Sequence, residues 1–408
     1  MSDITSSVTT MVMAGGEGER LYPLTQHRTK AAVPFAGNYR IIDFTLSNCL
    51  NSGLKRIQVL TQYKSDSLNK HIRWGWDVFS PELGSYIRTV PPQQRLSSHW
   101  YLGTADAVFQ NIHSLDEERP EHVLLLSGDH IYRMDYRELL QYHVHRDADA
   151  TVCCTRVPLG EASRLGVVDV EDGDRIVSFE EKPQDPAPAQ QNADFALCSM
   201  GVYAFKTTSL VKAVIQDART DSEHDFARNI LPEMLRNERN LVACVCGDDK
   251  QVRSEYWRDI GTLDAYWRAN MDFLPGSAPF DLNDPDWPMR TYPRSLPAAS
   301  IRGHHEDHAC LSRCLLSGGV RVQDATVRNS VIGPNVHVKD GSVIEDSVLM
   351  GDIVVGRNCR LRKVIVDKRN CIPEGERIGF DLETDGRHFT ISESGIVTVP
   401  QAMPLYRN

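Results

Sequence analysis

The sequence predicts an α/β protein with a Rossmann-like, mostly parallel sheet, followed by a left-handed parallel β-helix. Three observations lead to this fold class. Short apolar runs alternate with helical patterns through the first two thirds of the 408 residues, as in a series of βαβ units. A glycine-rich turn follows the first apolar run directly, and aliphatic residues in the last quarter recur every six positions.

The alternating part begins with an apolar run over 8–13, which predicts a strand, and a helical pattern over 40–52 that Gly53 ends. Further strands and helices follow the same two patterns: strands at 56–61, 122–127 and 150–156, helices at 68–72 and 135–146. Ligands of such sheets bind beyond the carboxyl ends of the strands. The residues that follow 8–13 and 122–127 are therefore the first candidates for a site.

A six-residue spacing marks the C-terminal region. The aliphatic residues that share it are Ile332, Val338, Ile344 and Met350, with Val336, Val348 and Val354 on the same period. This spacing is typical of a β-helix, in which each coil of three short strands packs against the next. An ordinary sheet of short strands is the alternative. Prolines cluster between 275 and 297, so we expect an α/β domain over 1–275, a linker over 276–315 and the β-helix over 316–408.

Composition fits a soluble globular protein, with 41% hydrophobic and 25% charged residues and a net charge of -10. An acidic chain gives no reason to expect nucleic acid or an anionic membrane surface as a partner. The N-terminal residues lack the pattern of a secretory signal, and every apolar run is much shorter than a membrane span. We therefore expect a cytoplasmic protein.

The ten cysteines contain no CxxC pair, and we expect buried, reduced thiols. One group of residues has the types that bind zinc: His304, His305, His308, Cys310 and Cys314. Their spacing matches no familiar zinc site, and the stretch is polar. A loop without a metal is the preferred interpretation.

The glycine-rich segment 13–21 reads MAGGEGERL. Its glycines allow backbone N–H groups to approach a phosphate closely, and Arg20 adds a positive charge. Because the Lys-Ser or Lys-Thr of a Walker motif is missing, a simple tight turn is the alternative. Lys30, ten residues after Arg20, supplies a second cation and favours the phosphate-binding interpretation.

This combination resembles the sugar-1-phosphate nucleotidylyltransferase family, which opens with a strand, a G-G-x-G-x-R-L loop and a lysine in a K-P segment. Ala31 stands where most members have the proline. The resemblance implies a nucleotidyltransferase fold for the first domain. It also implies that the loop and the lysine bind a nucleoside triphosphate through Ala14, Gly15, Gly16, Arg20 and Lys30.

Three longer segments narrow the resemblance to the bacterial ADP-glucose pyrophosphorylase branch: RIIDFTLSNC at 40–49, LTQYKS at 60–65 and WYLGTADA at 100–107. This branch transfers the adenylyl group of ATP to α-D-glucose 1-phosphate, giving ADP-glucose and pyrophosphate, the committed step of glycogen synthesis. The resemblance adds Gln62, Gly103 and Thr104 to the nucleotide site.

Asp129 follows the apolar run 122–127, where a carboxylate could hold a metal ion over the site; a turn or helix-cap aspartate is the alternative. The segment YWRDIGT at 256–262 is similar to the family's W-x-D-x-G-T. The resemblance implies that Asp129 and Asp259 bind Mg²⁺, which favours carboxylates, phosphate oxygens and water.

The segment FEEKP at 179–183 would alone be read as a solvated charge run. It resembles the family's E-K-P, and it lies between LGVV at 165–168 and CSMGVY at 198–203, which match further family segments. The resemblance implies a site for glucose 1-phosphate formed by Tyr101, Gly166, Glu181, Lys182 and Ser199.

The implied chemistry is an in-line attack of the sugar phosphate on the α-phosphorus, without a covalent intermediate or a general base. Arg20, Lys30, Asp129 and Lys182 are the predicted catalytic residues. Two alternatives remain at this point: a relative that makes UDP-, dTDP- or GDP-sugars, and a catalytically silent regulatory subunit. The second should lack phosphate- or metal-binding residues that this chain keeps.

The resemblance also implies a homotetramer regulated by glycolytic phosphates. The residues that could form the effector site are basic, from the segment before Lys30 and from the β-helix: His27, Arg28, Arg40, Arg360 and Arg362. Histidine titrates near ~6.5, so His27 would bind an anion better in acid. A surface histidine without a role is the alternative.

Overall fold

The computed structural model describes residues 4–93, 100–190, 192–247, 254–303 and 310–402. Its first domain is built on a nine-stranded sheet. From one edge to the other, the strands are Tyr86–Val90, Arg56–Leu60, Val8–Met13, His122–Ser127, Phe195–Lys206, Ala150–Pro158, Leu241–Val245, Arg175–Glu181 and Gly166–Glu171.

The sheet is mixed rather than mostly parallel. The first four strands are parallel to one another. The long strand Phe195–Lys206 is antiparallel to both of its neighbours, and the hairpin Gly166–Glu171 with Arg175–Glu181 is antiparallel too. The chain forms this hairpin at the sheet edge and then returns to the centre as Phe195–Lys206. The Rossmann-like arrangement predicted from the sequence is therefore found in the half of the sheet that contains Val8–Met13, where four neighbouring strands are parallel.

Both faces of the sheet are buried, which explains its continuous apolar strands. Alternate residues of a strand point to opposite faces. Val12 and Leu124 pack in the core with the helix Ile41–Asn51, whereas Met11 and Leu125 pack in the core on the other face. The predicted strands at 8–13 and 122–127 have these same bounds, and the strand predicted from 150 continues to Pro158.

The α-helices are Ile41–Asn51, Asp66–Gly75, Thr104–Phe109, Ile112–Glu118, Tyr136–His145, Leu159–Ala162, Thr207–Asp217, Leu231–Arg236, Leu263–Asp272 and Leu382–Gly386. Shorter helical turns are Ile4–Ser7, Glu19–Leu21, Lys30–Ala32 and Pro81–Leu83, with a π-helical turn at Phe226–Ile230. Two small antiparallel pairs lie outside the main sheet: Pro34–Phe35 with Tyr39–Arg40, and His130–Met134 with Ser254–Asp259.

The C-terminal part is a stack of short parallel strands. One sheet has Ser300–Arg302, Arg321–Gln323, His337–Val338, Val354–Val355 and Cys371–Ile372. The other strands are Cys310–Leu316, Thr326–Ile332, Val343–Glu345, Val348–Leu349, Arg360–Arg362, Val364–Val366, Arg377–Ile378, Thr390–Ile391 and Val397–Val399. The pairing begins at Ser300–Arg302, inside the segment expected to be a linker.

From Thr326 to Ile378, successive coils pair in register 17 residues apart, as where Ser347 N–H donates to the Ser330 hydroxyl. Val327, Ile344 and Leu361 stack in the buried interior. Of the residues with six-residue spacing, Ile332 and Val338 also point inward, whereas Val348 and Met350 pack against the first domain. The repeat therefore supplies both the interior and the docking face.

The two parts share one apolar cluster. Phe44 of the first domain, Phe280 and Met289 of the proline-rich segment, and Val331 and Ile365 of the stack are buried together. None of the helices within the described residues has both the length and the apolarity to span a bilayer. All ten cysteines are described as free thiols.

Candidate active site

Two adjoining cavities open at the carboxyl ends of the parallel strands. The loop-side cavity has a volume of about 750 Å³ and contacts the glycine-rich loop. The hairpin-side cavity, of about 270 Å³, reaches the hairpin Gly166–Glu181. The residues that line both are Met13, Arg20, Lys30, Thr104, Ser127 and Asp129. Two ligands could therefore meet at this shared wall.

The glycine-rich loop presents its backbone to the loop-side cavity. Gly18 has a left-handed backbone with φ of 66°, and its carbonyl accepts a hydrogen bond from Thr25 Oγ1 at 3.0 Å. A Cβ on Gly15 would lie 3.1 Å from Gln62 Cβ, whereas one on Gly16 would meet open space. One side of the loop therefore packs against Gln62 and Thr25, and the other side is open to the cavity. A phosphate-binding loop needs such an open side.

Lys30 bonds to two carboxylates, Asp129 of the shared wall and Asp259 of the hairpin-side cavity. Its Nζ donates to Asp129 Oδ2 at 2.6 Å and to Asp259 Oδ1 at 2.9 Å. Burial alone would lower the pKa of Lys30, but the two carboxylates outweigh it and raise the pKa. Burial alone would raise the pKa of Asp129, yet Lys30, His130 and the Ser127 hydroxyl hold it below its ordinary value. Lys30 and Asp129 are therefore both charged at neutral pH.

His130 completes a possible metal-binding group with Asp129 and Asp259, since one ligand atom from each lies within 4.8 Å of the others. Its Nδ1 lies 3.0 Å from the Met200 carbonyl, and its Nε2 lies 3.5 Å from Asp129 and 3.7 Å from Asp259. Trp257 donates to the same Met200 carbonyl at 3.2 Å. The histidine is thus fixed from one side and faces the carboxylates with the other.

Gln62 and Thr104 position the far wall of the loop-side cavity. The Gln62 amide donates to the Tyr101 carbonyl at 3.2 Å and accepts from the Tyr101 N–H at 2.8 Å. Thr104 donates to Asp225 at 3.0 Å. A Cβ on Gly103 would lie 2.3 Å from two backbone carbonyl oxygens, so only glycine fits there. Tyr101, expected at the sugar, lines this cavity and not the hairpin-side one.

The hairpin-side cavity holds the remaining predicted residues. Gly166 pairs with Glu181 in the hairpin, and a Cβ on Gly166 would lie 2.7 Å from the Phe179 ring. Lys182 contacts Glu181 at 2.7 Å, with its side chain half exposed. Ser199 donates to the Tyr203 hydroxyl at 3.1 Å. Lys182, Glu181 and the hydroxyls of Ser199 and Tyr203 therefore lie together on one side of this cavity.

The residues expected to bind an effector fall into two groups. Arg28 is 1% exposed and donates to both Asp367 oxygens, at 2.8 and 2.9 Å. Burial lowers the pKa of Arg40 to about 10, with Asp43 opposing and Arg28 assisting. Burial, Arg28 and Arg40 also lower the pKa of Lys368 to about 8. These three cations are therefore neighbours, and Lys368 was missed by the sequence analysis.

The candidates Arg360 and Arg362 lie on one short strand of the C-terminal stack. Arg362 stacks on the ring of Phe380, 4.6 Å from its centroid, and Arg360 pairs in register with Arg377 on the outer surface of the stack. His27 is exposed next to Arg28. Of the five residues with zinc-binding side chains, His304, His305 and His308 lie outside the described residues. Cys310 and Cys314 belong to the strand Cys310–Leu316 rather than to the expected loop, and Cys314 donates to the Val327 carbonyl at 3.2 Å.

Several cavity residues had no assigned role in the sequence analysis: His130, Arg164, Tyr203, Asp225 and Trp257. The signal for His130 was present, because it directly follows Asp129 at a strand end. Trp257 and Tyr203 lie within segments already matched to the family. Asp225 and Arg164 stand outside any motif, and only the fold brings them to the cavity.

The chain matches two family models in sequence order. Residues 9–275 match the nucleotidyl transferase family, and residues 296–399 match the GlmU-like C-terminal hexapeptide family. A glucose-1-phosphate adenylyltransferase of Nitrosococcus oceani is 42% identical, over 99% of this chain and 96% of its own length. Glucose-1-phosphate adenylyltransferase 2 of Vibrio cholerae is 44% identical over 96% of this chain and 97% of its own.

A third relative, the glucose-1-phosphate adenylyltransferase of Methylobacillus flagellatus, is 44% identical over 99% of this chain and 95% of its own length. The match to these proteins therefore covers both the cavities and the strand stack. The chain belongs to the nucleotidyl transferase family and, within it, to the glucose-1-phosphate adenylyltransferases.

Proposed function

We propose that this chain transfers the adenylyl group of ATP to α-D-glucose 1-phosphate, giving ADP-glucose and pyrophosphate. The observation that carries the proposal is the meeting of two cavities at Lys30 and Asp129, with Asp259 bonded to Lys30 on the hairpin side. A triphosphate in the loop-side cavity and a sugar phosphate in the hairpin-side cavity would come together at this wall. The names of the three relatives state the same activity.

The charges of the cavities support a requirement for a divalent cation. The two linings hold four cationic side chains: Arg20, Lys30, Arg164 and Lys182. They hold six carboxylates: Glu17, Glu19, Asp129, Glu181, Asp225 and Asp259. A lining with a formal charge of -2 cannot alone attract two polyanions, so additional positive charge must accompany them.

Asp129 and Asp259 fit Mg²⁺, because that ion favours a few carboxylates together with water and phosphate oxygens. His130 is the less suitable ligand, since imidazole suits transition metals better. When bound there, Mg²⁺ would neutralise phosphate charge in the ground state and on the leaving pyrophosphate. We therefore assign the metal to Asp129 and Asp259. His130 keeps its contact with the Met200 carbonyl and is not assigned as a ligand.

The remaining steps belong to the chain's own residues. Arg20 and the loop N–H groups hold the triphosphate, and the long Lys30 side chain can turn from the carboxylates toward a phosphate. Lys182 holds the sugar phosphate, with Glu181 and Ser199 placed to bind sugar hydroxyls. A phosphate oxygen is already ionised, so positioning and charge suffice for its in-line attack on the α-phosphorus.

An isotope experiment tests this assignment of bonds. With glucose 1-phosphate and ATP labelled at the α-phosphorus, the label should appear in ADP-glucose; label at the γ-phosphorus should appear in pyrophosphate. Transfer of α-label to the protein would contradict direct attack. Release of γ-label as orthophosphate would indicate a hydrolase, and its transfer to the sugar phosphate would indicate a kinase.

We further propose that the C-terminal stack is a left-handed β-helix, that residues 1–275 are the catalytic domain, and that four copies assemble. The GlmU-like hexapeptide match over residues 296–399 supports the β-helix. Because its inner rows are aliphatic and its coils pair in parallel, the stack is a rigid support for the catalytic domain. A crystal structure would show the direction in which the coils wind and therefore tests the left-handedness of the β-helix.

We also propose a phosphorylated effector site at Arg40 and Lys368, with His27 at its rim. Arg28 is already paired with Asp367, so we expect it to add positive charge near the site rather than to contact the effector. Because a lysine with a pKa of about 8 loses its charge as pH rises through that value, anion binding should weaken from pH 6.5 to pH 8.5. Activation by a sugar phosphate should follow this trend, and Lys368→Arg with His27→Lys should flatten it. An activation constant indifferent to pH and to both substitutions would contradict the site.

A further inference from the structure

The four cations of the two cavities are not equally available to a ligand. Lys30 is bonded to two carboxylates, and Lys182 contacts Glu181 at 2.7 Å. Arg20 and Arg164 make no ion pair with any residue that the structure describes, and both are exposed. Arg20 belongs to the phosphate-binding loop. Arg164 is therefore an available cation without an assigned role.

Arg164 lies next to the sugar-phosphate residues along the backbone. It follows the helix Leu159–Ala162 and precedes Leu165, whose carbonyl accepts a hydrogen bond from the Lys182 N–H at 3.0 Å. Lys182 has a left-handed backbone with φ of 54°, an unfavourable conformation for a lysine. The bond to Leu165 thus ties the strained Lys182 directly to the residue after Arg164.

We propose that Arg164 is a second binding residue for the phosphate of the sugar 1-phosphate, beside Lys182; the inference rests on the proposed function. Glu181 offsets much of the Lys182 charge, so Lys182 alone is a weak partner for a dianion. A guanidinium offers a planar pair of donors that matches two phosphate oxygens. Because Arg164 has no competing carboxylate among the described residues, it can turn to the incoming phosphate at no cost in broken ion pairs.

The same placement gives Arg164 a part in discrimination. A sugar without the 1-phosphate would leave Arg164 without a counter-charge and Lys182 with Glu181 alone. A sugar 1-phosphate satisfies both at once. Arg164 therefore contributes to the recognition of the anionic substrate rather than to the reaction at the α-phosphorus, which lies toward Asp129 at the shared wall.

Steady-state kinetics of Arg164→Gln, Arg164→Lys and the wild type test this role, with Arg175→Gln as the matched control. Arg175 is an exposed arginine on the adjoining hairpin strand and does not line either cavity. We expect Arg164→Gln to raise the KM for glucose 1-phosphate about 10-fold, with kcat and the KM for ATP changed by less than about 2-fold. Arg164→Lys should recover part of the loss.

Ionic strength supplies a second readout that a merely structural role would not change. The KM of the wild type for glucose 1-phosphate should rise with added salt, and that of Arg164→Gln should rise less, because one charge contact is missing. Equal KM values for wild type and Arg164→Gln at low salt, or equal effects on both substrates, would overturn the proposal while leaving the proposed function intact. A wild type inactive with ATP and glucose 1-phosphate would overturn both.

Discussion

Asp129, which lines both cavities, has three polar partners. It accepts from Lys30, it accepts a short hydrogen bond from the Ser127 hydroxyl, and His130 lies 3.5 Å away. All of these partners favour the charged form of its carboxyl, which keeps it ionised well below neutral pH. A permanently ionised oxygen at the meeting point of two anionic ligands is suited to hold a cation.

Asp129→Asn should therefore keep the fold and lower kcat by at least about 100-fold, because a neutral amide is a poor ligand for Mg²⁺. The comparison is Asp172→Asn, in a surface turn where φ is 49° and asparagine is well accommodated. Rates measured at several Mg²⁺ concentrations check the assignment. Near-normal turnover of Asp129→Asn at saturating Mg²⁺ would remove Asp129 from this role.

Lys182→Ala should raise the KM for glucose 1-phosphate roughly 10- to 100-fold and change the KM for ATP little, since only the sugar phosphate loses its partner. Glu181 would then lack its 2.7 Å contact with Lys182 and further repel the sugar phosphate. Initial rates with each substrate varied separately give both constants. If the two KM values rose in parallel, Lys182 would serve the fold or the metal rather than the sugar.

At the residue scale, the charged residues of the site could be predicted from the sequence, but the contacts between them could not. Arg20, Lys30, Asp129 and Asp259 were all expected near phosphates, and they line the adjoining cavities. Lys30 bonds to partners 99 and 229 positions away, and no local spacing can predict such a pairing. Lys368 was missed for the same reason, because its electrostatic neighbours Arg28 and Arg40 come from the other domain.

At the scale of elements, one helix carries a buried histidine that makes the fold sensitive to acid. His143, on the helix Tyr136–His145, contacts Thr151 Oγ1 of the neighbouring strand at 2.8 Å. Its Nε2 has no hydrogen-bond partner among the described residues. Burial, the neighbouring His122 and Lys206 lower the pKa of His143 to about 3. Its neutral form is therefore the one compatible with the folded chain.

Since the pKa in the folded chain lies below that of an unfolded histidine, stability is complete above about pH 6.5 and declines as pH falls toward 3. Between pH 7 and pH 5, His143 should account for a loss of about 2 kcal/mol in the free energy of unfolding. Urea unfolding at both pH values tests this, with His143→Gln expected to reduce the loss. The exposed His145 on the same helix is the control; an equal effect of His145→Gln would contradict the explanation.

The bounds of strands with continuous apolar runs were predicted well. Features that depend on how strands pair, such as strand direction, were not predicted. The strands Val8–Met13 and His122–Ser127 have the predicted bounds because their apolar runs are buried on both sides. The direction of Phe195–Lys206 could not be predicted, because parallel and antiparallel central strands have the same composition. The C-terminal repeat was recognised by its six-residue spacing, yet most paired positions of successive coils are 17 residues apart rather than 18.

At the scale of the whole molecule, the ion pair of Arg28 and Asp367 joins the two domains. Both side chains are 1% exposed, and Gln401 accepts from the same guanidinium at 2.6 Å. Breaking a buried pair leaves an uncompensated charge, which is far more costly than losing a surface contact.

Asp367→Asn should lower the free energy of unfolding by about 3–5 kcal/mol. Asp352→Asn, which breaks the exposed contact of Asp352 with Arg294 at 3.0 Å, should cost no more than about 1 kcal/mol. Urea unfolding followed by tryptophan fluorescence measures both. Similar losses for the two variants would mean that the buried pair does not hold the domains together.

The central claim for the whole molecule is that both cavities act on one reaction between ATP and glucose 1-phosphate. The most direct test is the initial rate of sugar-nucleotide formation from glucose 1-phosphate and Mg²⁺ with ATP, UTP, dTTP or GTP in turn. We expect ADP-glucose to form with a kcat/KM at least about 100-fold above that for any other nucleotide. Faster reaction with UTP, dTTP or GTP, or no sugar nucleotide with any of the four, would contradict the account.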